Sequence, residues 1–318
     1  MTNTGKPKVL IIRFSSMGDI VLTTPVMRCL ANNNLFDVHF LVKKKYLPIV
    51  NNNPYINKVY VFDGDIDIII QKLKTEHYSY IVDLQNNKRS WQLKSALKCK
   101  TSTIHKLNVR KFLLTTLKIN ILPKKHIVER YMQTVKFLGV DYDGRGLDFF
   151  IKDESLPPKV EFPDRYSVFA VGSQHFTKRL PTNKIVEVCK NSDCPVVLIG
   201  GKEDVAVGSS IHLQLPEKTI NLTGKLTVNQ SAIVLNGATV VYTGDTGMMH
   251  IAAALKKPIV SFWGSTVPAF GMYPFYPDDC EIKSVMVEND KLWCRPCSKI
   301  GLERCPLGHF KCMKELNY

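Results

Sequence analysis

Lys8-Val-Leu-Ile-Ile-Arg-Phe14 is a short, almost unbroken run of branched apolar residues, and runs like it recur along the chain. A strand with one wet face alternates apolar and polar side chains. A continuous run is what a parallel strand needs when helices cover both of its faces. Ser15-Ser-Met-Gly-Asp19 follows as a turn, and then a helix carries Val26, Met27 and Leu30, with Pro25 in its first turn or kinking it. Further strand-like runs stand at Val38–Val42, Val59–Phe62 and Tyr80–Leu84, spaced widely enough for helices between them. This β-α-β alternation predicts a doubly wound parallel sheet. Around Lys152–Asp164 the pattern breaks, and Pro157, Pro158 and Pro163 suggest a linker.

A second alternation then begins. Strands are expected at Tyr166–Val171, Pro195–Ile199, Lys218–Leu222, Thr239–Tyr242 and Pro258–Phe262, with helices at Pro181–Lys190, Asn229–Leu235 and Met248–Leu255. The chain therefore reads as two α/β units, 1–158 and 159–318. A shared site is expected in the cleft between them, outside the carboxyl ends of the strands.

The chain has 318 residues, 45% hydrophobic and 22% charged, which excludes a disulfide miniprotein, a collagen-like chain and a mostly disordered one. Two long uncharged stretches fail as membrane spans. Leu226 to Gly244 carries Asn229, Gln230 and Asn236, and Pro258 to Pro277 holds four prolines. At the N-terminus Arg13 ends the apolar run too early for a signal peptide, so a cytoplasmic chain is expected. In that compartment nine cysteines read as thiols or metal ligands rather than a disulfide framework.

The net charge of +15 is uneven: residues 1–158 carry +12 and residues 159–318 carry +3. No acidic residue lies between Asp83 and Glu129, a window holding 11 Lys/Arg, among them Lys88, Arg89, Lys94, Lys106, Arg110, Lys111, Lys118 and Lys124. So one-sided a block repels itself unless an anion meets it. Its partner is expected to be a phosphorylated substrate, an anionic membrane surface or nucleic acid. Nucleic acid fits worst, because no helix-turn-helix, RNP-type aromatic pair or zinc finger accompanies the charge.

Val240-Val-Tyr-Thr-Gly-Asp-Thr-Gly-Met-Met-His250 is the most informative segment. A buried strand runs into a glycine-rich turn and then a helix of small residues, whose unpaired first-turn N–H groups and dipole form an anion site. The bland reading is an Asp/Thr helix cap. Lys178 and Arg179 stand one short loop beyond another strand end, placed to reach a phosphate. After the next strand, Glu203, or Asp204 in its place, is a candidate for ribose hydroxyls. Asp19, after the first strand, suits a general base or, equally, an N-cap. Asp63-Gly-Asp65-Ile-Asp67 has the form of a metal-binding DxD, but acidic turn and cap residues fit better and no metal is expected there. Cys294, Cys297, Cys305 and Cys312, with His309 among them, have a spacing open to structural zinc or to buried thiols, without a catalytic role.

Together these pieces resemble glycosyltransferase family 9, the lipopolysaccharide heptosyltransferases. The resemblance rests on Val9-Leu-Ile-Ile-Arg-Phe-Ser-Ser-Met-Gly-Asp-Ile20, the Lys178 loop, Thr243-Gly-Asp-Thr-Gly-Met-Met-His250, Lys257-Pro-Ile-Val-Ser-Phe-Trp-Gly264 and the Cys294–Cys312 tail, in family order over nearly the whole chain. It implies the GT-B fold of two facing Rossmann-like domains. The N-terminal one would bind the acceptor and carry the base, and the C-terminal one would bind the nucleotide sugar. It implies inverting, metal-independent transfer of a heptose from ADP-heptose to an inner-core sugar hydroxyl, with no cofactor required. By the same resemblance Asp19 is the base, Lys178 binds phosphate, Thr246, Gly247 and Met248 cradle the pyrophosphate, Asp245 and His250 shape that cradle, and Glu203 takes the ribose. The acceptor would be a Kdo–lipid A type glycolipid at the inner face of the cytoplasmic membrane, with Ser16, Lys88, Arg89, Arg110 and Lys111 as candidate contacts. No acceptor motif can be matched between Asn86 and Arg145. The rival readings are a GT-B enzyme for another nucleotide sugar or acceptor, and a non-catalytic module binding anions, nucleic acid or a membrane.

Overall fold

Two parallel sheets organise the chain in a computed structural model that describes residues 5–32, 34–151 and 160–317. Pro157 and Pro158 of the expected linker lie outside those residues. The first sheet holds β1 (Lys8–Ile12), β2 (Asp37–Lys43), β3 (Lys58–Phe62), β4 (Tyr80–Asp83) and β5 (Lys100–Thr103) in the order β3-β2-β1-β4-β5. All of its pairs are parallel; Ile11, for example, sits opposite Phe40 on one side and Val82 on the other. The second holds β6 (Ser167–Ala170), β7 (Val196–Ile199), β8 (Thr219–Asn221), β9 (Val241–Gly244), β10 (Ile259–Trp263) and β11 (Ser284–Glu288) in the order β11-β10-β9-β6-β7-β8, again parallel throughout.

Two strands carry no signal in the sequence, and both are edges. β5 is Lys-Thr-Ser-Thr, and β11 exposes Val285 and Met286. A strand with one neighbour and little cover has no need of a continuous apolar run. The central strands do: Leu10, Ile12, Leu41 and Ile81 join Phe14, Phe62, Leu73 and Leu93 in one core cluster, each such side chain stabilising by roughly 1.5–3 kcal/mol on burial. In the second unit Phe169 stacks on both Tyr242 and Phe262 at 6.0 Å, and Met313 from the C-terminal tail completes the cluster.

The acidic Asp63–Asp67 stretch is built of turn and cap groups. Asp65 caps the helix Ile66–Lys74, accepting from the N–H groups of Asp67 and Ile68 at 2.8 and 3.2 Å, and Asp63 pairs with Lys44.

By contacts, the first unit comprises the residues up to Lys106 together with Lys125–Phe150, and the second comprises Leu107–Lys124 and the chain from Ile151 onward. This differs from a simple division at 158. The return to the first unit is pinned by the fully buried Arg28, whose guanidinium donates to Asp143 at 2.8 Å through both Nε and Nη2 and also pairs with Asp148. The excursion 107–124 is held in the second unit by Lys118, whose Nζ donates to the carbonyls of Cys294 at 3.0 Å and Pro296 at 2.8 Å.

In each sheet the first strand of its unit has neighbours reached in opposite directions: β1 lies between β2 and β4, and β6 between β7 and β9. Such reversals leave a crevice at the carboxyl ends of the strands, because the connections on either side leave in opposite directions. The carboxyl ends of β1 and β4, and of β6 and β9, are therefore where ligand chemistry belongs.

Candidate active site

At the end of β1 the chain turns through Ser15 into the short helix Met17–Val21, whose N-cap is Ser16. Asp19 occupies the third helical position and not the cap itself. One of its carboxylate oxygens accepts from Ser16 Oγ at 2.7 Å and from the Ser16 N–H at 3.2 Å. The other faces Arg13 Nη2 at 2.7 Å, and the side chain keeps about a fifth of its surface exposed. This is the reciprocal capping geometry of a Ser-x-x-acid turn, with a fixed cation added. Arg13 is itself locked by the carbonyls of Ser15 at 2.7 Å and Leu84 at 2.5 Å and by Tyr131 Oη at 3.1 Å. Burial opposes its charge, but Asp19, with Tyr131 and Asp83, outweighs that and leaves the guanidinium more basic than usual. The result is a carboxylate oriented through both oxygens and about a fifth exposed, placed at a strand end where a general base could stand.

β4 supplies the other wall. Asp83 is fully buried, accepts from the Gln85 and Asn86 N–H groups at 3.0 and 2.7 Å, and pairs with Lys94 at 2.8 Å. Gln85 Oε1 in turn accepts from the N–H groups of Phe14 and Ser15, tying the β4 turn to the Asp19 turn. Lys106 stands within the influence of the same cluster. Burial first, and then Arg13, hold its ammonium below the ordinary lysine range against the pull of Asp83 and Asp19. Sequence reading missed Arg13, Gln85 and Tyr131 as functional residues; Lys94 and Lys106 were visible only as members of the acid-free window.

The acceptor candidates divide. Ser16 binds Asp19, and Lys88 and Arg89 open the helix Lys88–Leu97 just beyond β4, both exposed, with Arg89 5.6 Å from the Phe62 ring. Arg110 and Lys111 belong to the other unit, where Lys111 lies over the Phe270 ring. The five do not form one cluster within either unit.

In the second unit β9 runs through Gly244 into the turn Asp245-Thr246 and the helix Gly247–Ala254, two residues beyond the expected strand end. Thr246 is the N-cap, but its hydroxyl pairs with Thr243 Oγ1 at 3.1 Å and makes no cap bond to the helix. The first-turn N–H groups, those of Gly247 and Met248 included, are thus left without a side-chain cap and can meet an anion. Lys178 Nζ stands 2.6 Å from Asp245 Oδ2, and Thr266 Oγ1 donates to the same oxygen at 2.8 Å. Lys178 is thereby delivered to the helix N-terminus. Arg179 turns back, its Nε donating to the Ser173 carbonyl at 2.7 Å. His250 is buried in the helix behind the turn.

Close backbone packing makes this possible. A Cβ on Gly244 would stand 2.6 Å from the Lys178 carbonyl oxygen, and one on Gly264 would stand 2.6 Å from that of Thr177. The Thr177–Lys178 backbone is wedged between the ends of β9 and β10. Gly244→Ala is therefore expected to cost about 1–3 kcal/mol through overpacking. It should also displace Lys178 from Asp245 and so weaken any anion bound at the Gly247–Ala254 N-terminus. Urea unfolding and titration calorimetry with inorganic pyrophosphate on the same variant check both effects.

After β7, Glu203 is exposed while Asp204 is buried, its Oδ2 accepting from the Gly201 N–H at 2.8 Å. Burial raises the Asp204 carboxyl pKa against that hydrogen bond. Its carboxylate also fills the space a Cβ on Gly172 would need. Asp204 is thus a loop staple, and Glu203 is the exposed acid of the pair, its carboxylate lying over Gly201.

The C-terminal tail underpins the Lys178 loop. Thr177 N–H donates to the Leu302 carbonyl at 3.1 Å, and the Leu302 N–H donates to Thr177 Oγ1 at 2.8 Å. Arg295 is buried and bonds the carbonyls of Trp263, Gly264, Thr266 and Asn289 as well as Glu288. Cys294 Sγ lies 3.8 Å from His309 Nε2. Among the described residues no three His, Cys, Asp or Glu side chains gather closely enough to hold one metal ion. Arg295 cross-links the tail through its bonds to those carbonyls and Glu288. Its spacing in the sequence gave no sign of that role.

Comparison with known proteins bears on the family and the fold. Residues 67–302 match the model of glycosyltransferase family 9 (heptosyltransferase). A stretch of 91 residues is 35% identical to lipooligosaccharide heptosyltransferase 2 of Haemophilus influenzae, spanning 27% of this chain and 26% of that protein. Lipopolysaccharide heptosyltransferase 1 of Campylobacter coli is 23% identical over 293 residues, 81% of this chain and 84% of that one. The structure of the ADP-heptose LPS heptosyltransferase II of Escherichia coli superposes with a TM-score of 0.68 at 19% identity, covering 97% of this chain and 98% of its own. That likeness bears out the expected GT-B fold of two Rossmann-like units.

Proposed function

Because the chain belongs to glycosyltransferase family 9, the heptosyltransferase family, we propose that it transfers a heptose from ADP-heptose to a sugar hydroxyl of the lipopolysaccharide inner core. The observation that carries this reading is Lys178 held 2.6 Å from Asp245 at the N-terminus of Gly247–Ala254. A cation and a set of backbone N–H groups aimed at one point suit a pyrophosphate.

In the proposed reaction Asp19 takes the proton of the acceptor hydroxyl. The hydroxyl oxygen forms a bond to the anomeric carbon as the bond from that carbon to the ADP oxygen breaks on the opposite face. One displacement of this kind inverts the anomeric centre. Charge develops on the leaving diphosphate, and Lys178 with the N–H groups of Thr246, Gly247 and Met248 stabilises it there. No metal is required in this scheme, because a lysine and a helix N-terminus do the electrostatic work. Glu203 takes the ribose hydroxyls. Lys88, Arg89 and Lys106, on the unit that carries Asp19, receive the anionic groups of a Kdo–lipid A type acceptor. Such an acceptor lies in a membrane, so the enzyme works as a peripheral protein at the inner face of the cytoplasmic membrane.

Thermal unfolding against ADP, UDP, GDP and CDP tests the donor. At about 100 times its dissociation constant, a ligand that binds only the folded state adds roughly 2.7 kcal/mol. ADP is expected to raise the midpoint and the other three are not. A shift with UDP or GDP in place of ADP would retain the fold and overturn the donor.

A further inference from the structure

One face of the second unit is both apolar and cationic. Within 107–124 the chain forms a continuous helical stretch, Asn108–Phe112 followed by Leu113–Leu117. Val109, Phe112, Leu117, Ile119 and Ile121 are all about half exposed or more. Seventeen large apolar side chains are exposed among the described residues, and these five crowd into 13 positions where even scatter would leave hardly one. The same segment has four cations, Arg110, Lys111, Lys118 and Lys124, and no carboxylate.

Two more exposed apolar residues flank the points where this segment touches the tail. Trp293, 76% exposed, precedes Cys294, whose carbonyl accepts from Lys118. Ile300, 66% exposed, follows Lys299, which donates to the Asn108 carbonyl at 3.3 Å and lies 5.9 Å from the Phe112 ring. The segment and the tail so present one patch.

We propose that this patch, centred on Val109–Ile121 with Trp293 and Ile300, docks the protein on an anionic phospholipid surface. Exposed apolar groups of this density mark an interaction site. The segment mixes exposed apolar side chains with cations and holds no carboxylate, a composition that offers a protein partner's cations nothing to pair with. A bilayer with anionic headgroups accommodates both, taking apolar side chains below the headgroups and cations at their level. Tryptophan at that boundary suits an amphipathic ring. Among the described residues no helix is long and apolar enough to span a membrane, so the segment lies on the surface. The same segment explains why the acid-free window divides between the units. Its first part, with Lys88, Arg89 and Lys106, serves the Asp19 turn, and its second part serves the lipid.

The assignment rests on the reading of the acceptor as a membrane glycolipid, but its test needs no acceptor. The full chain is sedimented with phosphatidylcholine vesicles, with and without phosphatidylglycerol, beside the variant Phe112→Ser/Leu117→Ser/Ile119→Ser. The wild type is expected to pellet with the anionic vesicles and not with pure phosphatidylcholine. The variant should partition at least about tenfold more weakly while its unfolding midpoint with ADP rises as in the wild type. Equal partitioning of variant and wild type would overturn the proposal, as would equal binding to both vesicle types. It also falls if the wild type stays in solution as an oligomer that the variant dissociates, which would make the patch a self-association face. Failure of the ADP shift in both proteins would count against the donor reading and leave the vesicle result standing.

Discussion

Asp19→Asn is expected to lower turnover by about 10²–10⁴-fold, the usual weight of a positioned general base, while the rise in unfolding midpoint with ADP persists. Asparagine keeps the size of the side chain and an oxygen that can still accept from Ser16. It cannot take up the acceptor's proton. The substitution also removes the charge facing Arg13, which keeps the carbonyls of Ser15 and Leu84 and the Tyr131 hydroxyl as acceptors. Breaking a fully buried ion pair costs 3–5 kcal/mol or so. Here Asp19 is a fifth exposed and Arg13 retains three partners, so about 1–3 kcal/mol is expected, as for one lost charge-assisted hydrogen bond. The variant should melt earlier and still fold. The decisive readings are single-turnover rate and ADP affinity on the same preparation. A rate within about threefold of wild type, well short of the loss of a general base, would reduce Asp19 to the capping role its position also fits.

Lys178→Ala is the second large effect, with an expected loss of about 10²–10³-fold in turnover, the size seen when one charge-stabilising donor is removed. Lys178 could act in two ways: by touching the diphosphate, or by neutralising Asp245, which would otherwise repel it. Their pairing at 2.6 Å makes both physically reasonable. A double-mutant cycle separates them, since the two groups are in contact and should not be additive. If Lys178 only masks Asp245, then Lys178→Ala/Asp245→Asn recovers most of the activity. Direct contact with the leaving group predicts that it does not, and that is the expected result, because a diphosphate bound at the uncapped first turn of Gly247–Ala254 would lie beside Lys178. Recovery to within about fivefold of wild type, against a loss of 10²–10³ for direct contact, would overturn it.

Much of the architecture is legible in the chain before any folding is considered. Parallel strands with two neighbours are covered on both faces, so Val9–Ile12, Val38–Val42, Val168–Ala170 and Val196–Ile199 had to be written as apolar runs, and they stand in the sequence as such. The glycine turn after β9 is legible for a related reason. Backbone must approach backbone there, only glycine allows it, and Gly244 against the Lys178 carbonyl is that approach. Asp19 and Lys178 could be singled out because both follow strand ends, where the crevices of such sheets lie.

What the sequence leaves open is whatever depends on partners far along the chain. Arg13 reads as the residue that ends an apolar run, and its pairing with Asp19 and Tyr131 exists only because β1, β4 and the residue 127–132 helix converge. The edge strands Lys100–Thr103 and Ser284–Glu288 have too little burial to impose a pattern. Glu203 and Asp204 are adjacent acids, and only packing against Gly172 decides that one is a staple while the other faces solvent. The acid-free window is likewise one block in sequence and two in space. Charge composition records how many cations there are, whereas Lys118 bonding the carbonyls of Cys294 and Pro296, some 176 residues away, decides which unit they serve.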